Sequence, residues 1–143
     1  TLNASCSVGT MEGSLARAIA HVGATRHQHL DSSLADLPTI RAYLAKARIK
    51  ADMANALLQD TLAAIGGGRA DTMLRVLEVK AACAEAALEV TDAAMRVCGG
   101  AAFRKEVGVE RLFRDARAAH VMAPTTDVLY DFIGKAICGL PLF

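Results

Sequence analysis

The stretch DTMLRVLEVKAACAEAALEVTDAAMRVCGG, residues 71–100, decides the fold class. Apolar and small residues recur along it in alternating steps of three and four, which places them on one face of a helix. These positions are Leu74, Leu77, Ala81, Ala84, Leu88, Thr91, Met95 and Cys98. The glycines at 99 and 100 end the pattern, because glycine tolerates the conformation in which helices stop. The stretch therefore predicts a long helix from about Asp71 to Cys98.

Two further helical stripes precede this one. The first runs through residues 2–28, at Ala4, Val8, Met11, Leu15, Ala18, Val22 and Thr25. The second runs from Pro38 to about Ile65, at Ile40, Leu44, Ala47, Ala51, Ala54, Leu58, Thr61 and Ile65. Asp36 is suited to cap the second helix, Pro38 suits its first turn, and the glycines at 66–68 end it.

Beyond residue 100 the pattern changes to shorter elements. AAFRKEVG predicts a loop, and a short helix follows from Val109 to about Ala119. After the proline of MAP, Thr125 or Thr126 can cap a last helix that reaches about Cys138. No alternating strand pattern appears. Long helices with short connections predict an all-α fold, an antiparallel up-and-down four-helix bundle, with residues 1–143 as a single domain.

The composition indicates which classes of partner are not expected. The formal net charge is +1, which gives no electrostatic reason to expect nucleic acid or a membrane surface. No uncharged apolar run reaches the roughly 20 residues of a membrane span, and no signal peptide is recognisable. Four cysteines without a CxxC pair are typical of free thiols in a reducing compartment, so we expect a cytoplasmic protein. Because the chain begins with Thr1 rather than Met, we expect a fragment of a longer protein.

Short motifs give little support for direct chemistry. His27 and His29 have no further ligand at metal spacing except Asp31, and ExxH and HExxH motifs are absent; no metal site is predicted. The glycine runs follow no strand and lack the lysine of a P-loop. His120 is a single histidine on a helix, which is more typical of a packed or surface residue than of a general base.

Three arginines lie on the predicted short helix before the proline. Arg111, Arg114 and Arg117 stand at a spacing of three, beside Glu110 and Asp115, and therefore share one helical face. One interpretation is a solvated face with local ion pairs. The other is a buried ion-pair network that holds this helix against the bundle.

Taken together, these features resemble the C-terminal helical domain of the acyl-CoA dehydrogenase family, over nearly the whole chain. The strongest stretch is CGGAAFRKEVGVERLFRDARAAHVMAPTTDVL, residues 98–129. It resembles the family's paired glycines, short loop, ER-x-x-RDAR-like helix and Thr-containing turn, in that order. Arg26 in TRHQH matches an arginine that closes the family's first helix. The resemblance favours the arginine network, which would hold the following turn beside a flavin.

The resemblance implies that the chain is the C-terminal part of a three-domain flavoprotein. It implies FAD bound across a subunit contact in a homodimer or homotetramer, an acyl-CoA substrate oxidised across its α and β carbons, and an electron-transfer partner. The parent would be an oxidoreductase of fatty acid metabolism, and the isolated chain is expected to be inactive. The cofactor-binding positions that it implies are Arg26, Gln28, Arg96, Gly99, Gly100, Thr125 and Asp127.

These positions fall into three roles in the resemblance. Arg26 and its neighbour Gln28 meet the FAD of another subunit. The glycine pair and Arg96 touch the adenosine end, since glycine admits close backbone approach and arginine offers forked donors to pyrophosphate. The turn at Thr125 and Asp127 lies beside the flavin. The chain departs from the family at His29, where phenylalanine is common, and at Arg96, where glutamine is common.

A larger departure concerns the catalytic base. Ala123-Pro124-Thr125 stands where many relatives carry Glu-Gly-Thr, and alanine cannot accept the proton that this glutamate removes. Some members place the base on the first helix of the domain, at a position that falls at or just before Thr1. Other branches need no such base and use reduced flavin and oxygen. Three hypotheses stay open: a dehydrogenase with its base upstream, a flavin-dependent monooxygenase of the same fold, and a non-catalytic helical oligomerisation module.

Overall fold

The computed structural model describes residues 1–27 and 32–142. Within these residues five α-helices form nearly all the regular structure: α1 Leu2–Ala24, α2 Pro38–Gly67, α3 Thr72–Cys98, α4 Val109–Val121 and α5 Thr126–Ile137. A two-residue strand, β1 Arg26–His27, pairs antiparallel with β2 Ser32–Ser33. This pairing is too short to change the class. The predicted all-α helical bundle is confirmed.

The helix α3 lies at the centre of the bundle. It contacts α1, α2, α4 and α5. Its contacts with α2 show that the two helices run antiparallel, because the residue numbers fall along α2 as they rise along α3. The successive contacts are Thr61 with Arg75, Ala54 with Cys83 and Lys50 with Glu89.

Burial on α3 is broader than the predicted stripe. Four stripe residues are buried, namely Ala81, Ala84, Thr91 and Cys98. The other four are only half-buried, namely Leu74, Leu77, Leu88 and Met95. Much of the core comes instead from Val79, Cys83, Ala86, Val90 and Ala94. The prediction of a single stripe fails here because α3 packs against four helices, which removes water from most of its circumference.

The first helix ends earlier than the sequence pattern predicts. It stops at Ala24 rather than residue 28, and Thr25 is extended with φ −81° and ψ 112°. Arg26 then pairs with Ser33, so its backbone groups bond a returning strand instead of another helical turn. Helical periodicity cannot reveal this exchange of hydrogen-bond partners.

The prediction that Asp36 caps α2 is wrong. Its carboxylate accepts hydrogen bonds from the Ser33 N–H at 2.7 Å and the Ser33 hydroxyl at 3.0 Å. These bonds close a short 3₁₀ turn, Leu34–Asp36, and leave Leu37 as the residue that precedes α2. Pro38 occupies the first turn of α2 as predicted.

The other predicted boundaries agree closely with the structure. Gly68 ends α2 in the left-handed conformation, with φ 62°. Part of the predicted loop after α3 is a 3₁₀ helix, Gly99–Phe103, and α4 continues to Val121. Thr125 caps α5, and its hydroxyl accepts from the Val128 N–H at 3.5 Å. Among the helices described, none combines the length and hydrophobicity that crossing a membrane requires.

Candidate functional site

The end of α3 presents an open glycine pair. Gly99 has φ 57° and ψ −143°, a conformation that residues with a side chain rarely adopt. Gly100 has no such constraint, and a Cβ placed on it would meet no atom within 4 Å. The buried residues Val97 and Cys98 anchor the last turn of α3 directly before the pair. A rigid helix end therefore leads into backbone that a ligand can approach closely.

Arg96 lies one turn before the glycines and is exposed. Its guanidinium carbon sits 4.6 Å from the ring centroid of Tyr43 on α2, a distance typical of cation–π stacking. A groove of about 500 Å³ runs beside this pair between α2 and α3, with Lys46 and Lys50 among its lining residues. Stacking orients the guanidinium plane while its N–H groups remain at the groove edge.

Arg26 lies in β1 with an exposed side chain. Hydrogen bonds from Ser33 hold the pKa of the Asp36 carboxyl below its usual value, and the charges of Arg41 and Arg26 add to this effect. Arg26 is at the same end of the bundle as Gly99, because Val22 near the end of α1 packs in one cluster with Val97. The predicted contact Gln28 lies outside the described residues, and so does His29, where the chain departs from the family.

The turn between α4 and α5 carries the second group of predicted residues. Ala123 and Pro124 are exposed, and Thr125 is half-buried at the start of α5. Asp127 lies exposed in the first turn of α5, where a negative charge is favourable. Ala123 presents only a methyl group, so the turn offers no proton acceptor at that position.

Side chains from α3 hold this turn. The Lys80 ammonium donates to the Met122 carbonyl at 2.9 Å and to the Pro124 carbonyl at 2.5 Å. Burial lowers the pKa of Lys80. No sequence motif singles out Lys80; its only signal is that it is a charged residue within the mostly apolar run VKAACA.

A second contact from α3 reaches the end of α4. Glu85 Oε1 lies 3.2 Å from His120 Nδ1, and the same nitrogen lies 3.1 Å from the hydroxyl of Thr126. Thr126 is buried, with 2% of its surface exposed. Burial raises the pKa of the neighbouring Tyr130, and the charges of Glu85 and Asp127 raise it further. His120 therefore joins three helices, with 35% of its side chain exposed.

The predicted site residues thus form two separate groups. The turn group is the set of residues at the turn that Lys80 contacts, and the glycine group is the set around Gly99. Lys80 and Gly99 are 19 residues apart in the chain. At 1.5 Å per residue this separation is roughly 28 Å. One group contains Arg26, Arg96, Gly99 and Gly100, and the other contains Ala123, Thr125 and Asp127. A single chain does not bring the two groups to one point.

The arginine-rich face of α4 is mostly solvated. Arg111 pairs with Asp115 at 3.5 Å and Arg114 pairs with Glu110 at 3.1 Å, both within the helix. Their side chains are 78% and 69% exposed, so these pairs add little stability. Arg117 lies over Phe113 of the same helix, 4.0 Å from the ring centroid. The interpretation of these arginines as a buried ion-pair network is therefore wrong.

Apolar packing attaches α4 to the bundle instead. The buried residues on α4 are Val109, Ala116 and Ala119. Val109 belongs to the cluster at the glycine end, and Ala116 belongs to the main core. Small side chains let α4 lie close to α1 and α3, which it contacts. Its charged residues keep the opposite face in water.

The chain is similar to known proteins over nearly its whole length. Residues 1–138 match the family model described as acyl-CoA dehydrogenase, C-terminal domain. The very long-chain specific acyl-CoA dehydrogenase, mitochondrial, of Homo sapiens is 30% identical over 145 residues, which cover 96% of this chain and 22% of that protein.

Solved structures share the fold. A glutaryl-coenzyme A dehydrogenase in complex with glutaryl-CoA superposes with a TM-score of 0.89 at 24% identity, covering 98% of this chain and 35% of that one. The HsaA monooxygenase from M. tuberculosis superposes with a TM-score of 0.73 at 22% identity, covering 97% of this chain and 37% of that one. The chain therefore spans between 22% and 37% of the length of these three proteins.

Proposed function

The chain belongs to the acyl-CoA dehydrogenase family, and from this premise we propose that it is the C-terminal helical domain of a longer FAD-dependent oxidoreductase. The whole protein oxidises an acyl-CoA thioester across its α and β carbons, and this domain contributes FAD contacts and a subunit interface. The observation that carries the proposal is the glycine pair at the end of α3, whose backbone is open beside an oriented arginine.

The glycine end suits the adenosine half of FAD. Gly100 leaves its backbone open, since no atom lies within 4 Å of a Cβ built there. Arg96 is fixed by its stacking on Tyr43 and offers planar donors to a phosphate oxygen. In this proposal Gly99, Gly100 and Arg96 hold the adenosine end. Thr125 and Asp127 lie beside the flavin ring.

The separation of the two groups supports FAD binding across a subunit contact. The groups lie roughly 28 Å apart along α3, one at its C-terminal end and the other beside Lys80, in the first third of the helix. We assign Arg26 and Gln28 to the FAD of a second subunit, which makes the active unit a homodimer or homotetramer. Each subunit then completes a site on its neighbour.

The base of the dehydrogenase lies immediately upstream of Thr1 in this proposal. The start of α1 adjoins the turn, because Asn3 Nδ2 lies 3.8 Å from Met122 Sδ. A carboxylate just before α1 would therefore reach the space in front of Ala123. Such a carboxylate would take the proton from the α carbon of the thioester, and FAD, when bound, would supply the acceptor for the hydride from the β carbon.

Ala123 also favours a second function. A flavin-dependent monooxygenase uses reduced flavin and oxygen, and needs no carboxylate at this turn. The helical fold accommodates either chemistry, since the HsaA monooxygenase shares it. A protein of this fold that binds no flavin would instead be a non-catalytic oligomerisation module.

We further propose an electron-transfer partner for the dehydrogenase and a cytoplasmic location. The electrons taken from the substrate have to leave bound FAD before the next turnover, which requires an acceptor. Cys6, Cys83, Cys98 and Cys138 are all free thiols, which supports a reducing compartment.

FAD affinity of the full-length protein that contains this chain tests the proposal. Gly100→Ala adds a methyl group where the chain itself has room, so the fold is retained but a ligand cannot approach as closely. We expect the Kd for FAD to rise about tenfold, or ~1.4 kcal/mol. The matched control Gly66→Ala also meets no atom within 4 Å, and should leave the Kd unchanged. Equal affinities in the two variants would contradict the proposal.

A further inference from the structure

One ammonium group bonds the backbone carbonyls of Met122 and Pro124, the residues on either side of Ala123. Lys80 Nζ donates to the carbonyl of Met122 at 2.9 Å and to that of Pro124 at 2.5 Å. Both carbonyls therefore face α3, and the residue between them is held at a fixed position relative to that helix. Lys80 and Met122 stand 42 positions apart in the chain.

The turn has few other anchors. Pro124 has no N–H to donate, and the side chains of Met122, Ala123 and Pro124 are exposed. Within residues 1–27 and 32–142, the carbonyls of Met122 and Pro124 accept side-chain hydrogen bonds from Lys80 alone. Lys80 therefore supplies the side-chain hydrogen bonds to these two carbonyls, whereas the Met122 N–H bonds the Ala118 carbonyl at 3.0 Å.

The charge of Lys80 is not used in an ion pair. In the described part of the chain no carboxylate lies within ion-pair distance of it, and burial lowers its pKa. Partly burying an ammonium without a counter-charge opposes folding unless hydrogen bonds compensate. The two carbonyls provide that compensation, and charge-assisted hydrogen bonds of this kind are the strong ones.

We propose that Lys80 is a positioning residue, which holds the turn so that Thr125 and Asp127 reach the flavin. This inference rests on the proposed function for its catalytic consequence. Its structural part is the pair of hydrogen bonds from Lys80 to the Met122 and Pro124 carbonyls, which we call the clamp. The clamp does not depend on any flavin. The second contact from α3, Glu85 with His120 at 3.2 Å, fixes the end of α4 and leaves Lys80 to set the turn that follows.

Amide exchange in the full-length protein tests the clamp without reference to FAD. Lys80→Met keeps the apolar stem and removes every donor. We expect amides in the peptide 119–129 to exchange about tenfold faster, with α2 unchanged, and Lys80→Arg to restore slow exchange. Lys50→Met is the matched control, since Lys50 pairs with Glu89 on the far side of α3 at 3.0 Å. Unchanged exchange in 119–129 would overturn the clamp, and Lys80→Leu, which also carries no donor, replaces the Met variant if that one does not fold.

Steady-state kinetics test the catalytic consequence. Lys80→Met should lower kcat about tenfold or more and leave the Kd for FAD within about threefold, because the adenosine contacts lie at the other end of α3. Lys80→Arg should recover most of kcat, which a general loss of stability would not explain. Faster exchange with unchanged kcat would overturn the positioning role. A wild-type protein that binds no FAD would contradict the proposed function. The amide-exchange comparison would still test whether Lys80 holds the turn.

Discussion

Glu85 and His120 join α3 to the end of α4, with Oε1 of the carboxylate 3.2 Å from Nδ1 of the imidazole. Both side chains are about one third exposed, at 37% and 35%, so water partly screens the contact. The same imidazole nitrogen lies 3.1 Å from the buried Thr126 hydroxyl. This contact therefore connects the two helices that flank the turn.

A double-mutant cycle measures this connection. Glu85→Ala, His120→Ala and the double variant should give a coupling energy of about 0.5–1 kcal/mol in urea unfolding. The control cycle on Arg111 and Asp115, which lie 3.5 Å apart on an exposed face, should give less than about 0.3 kcal/mol. Equal coupling in the two cycles would mean that Glu85 and His120 do not join the helices energetically.

Leu129 should anchor α5 to the bundle. Its side chain is 2% exposed, whereas Ile137 on the same helix is 68% exposed. Leu129→Ala leaves a cavity and should lower the free energy of unfolding by about 2–5 kcal/mol. Ile137→Ala should change it by less than about 0.5 kcal/mol. Urea denaturation measures both, and a small effect at Leu129 would show that α5 packs loosely.

Acid should weaken the connection between α2 and α3. The Arg69 guanidinium lies 2.7 Å from Asp60 and 2.7 Å from Asp71, and hydrogen bonds from Arg69 lower the pKa of Asp71 to about 2. A carboxyl with a lowered pKa stabilises the fold above its unfolded pKa of about 3.9. That contribution is lost as the pH falls through about 2.

Arg69→Met should therefore destabilise the protein near neutral pH and lose that effect near pH 2. Thermal unfolding at a series of pH values measures the difference from wild type. Arg104→Met, at an exposed position outside this cluster, should show no such pH dependence. If wild type remains more stable than Arg69→Met by the same amount near pH 2, the hydrogen bonds from Arg69 to Asp71 do not explain the difference.

The four thiols should divide into two classes. Cys83 and Cys98 are buried, and burial raises the pKa of each to about 11. They stay protonated and inaccessible at neutral pH, and only thiolates react readily. Cys6 and Cys138 are exposed. Alkylation with iodoacetamide and peptide mass spectrometry should label Cys6 and Cys138 in the folded protein, and all four only after unfolding. Labelling of Cys83 in the folded state would contradict its burial.

Much of the fold could be predicted from the sequence because local chemistry decides it. Glycine at 68 and 99 sets two helix ends, with φ of 62° and 57°, and Thr125 caps α5 as its residue type suggests. The early end of α1 was not predictable, since the partner strand at Ser33 is seven residues away. A competing tertiary hydrogen bond overrides helical periodicity there.

The candidate site was only partly predictable for the same reason. A family resemblance nominated Gly99, Gly100 and Thr125, whereas Lys80 was missed. Its contact with Met122 spans 42 positions, and the register between α3 and the α4–α5 turn follows from packing rather than from any local pattern. The arginines of α4 led to a wrong expectation, because water and i,i+4 pairs satisfy Arg111 and Arg114 without a buried partner.

We propose that this domain belongs to a flavoprotein that oxidises an acyl-CoA. The most direct measurement is an anaerobic titration of the full-length protein with acyl-CoA thioesters of several chain lengths, followed by the visible absorption band of its flavin. We expect at least one thioester to bleach the band, with a base outside Ala123 taking the proton. A flavin that binds but stays oxidised with every thioester would contradict it and favour the monooxygenase.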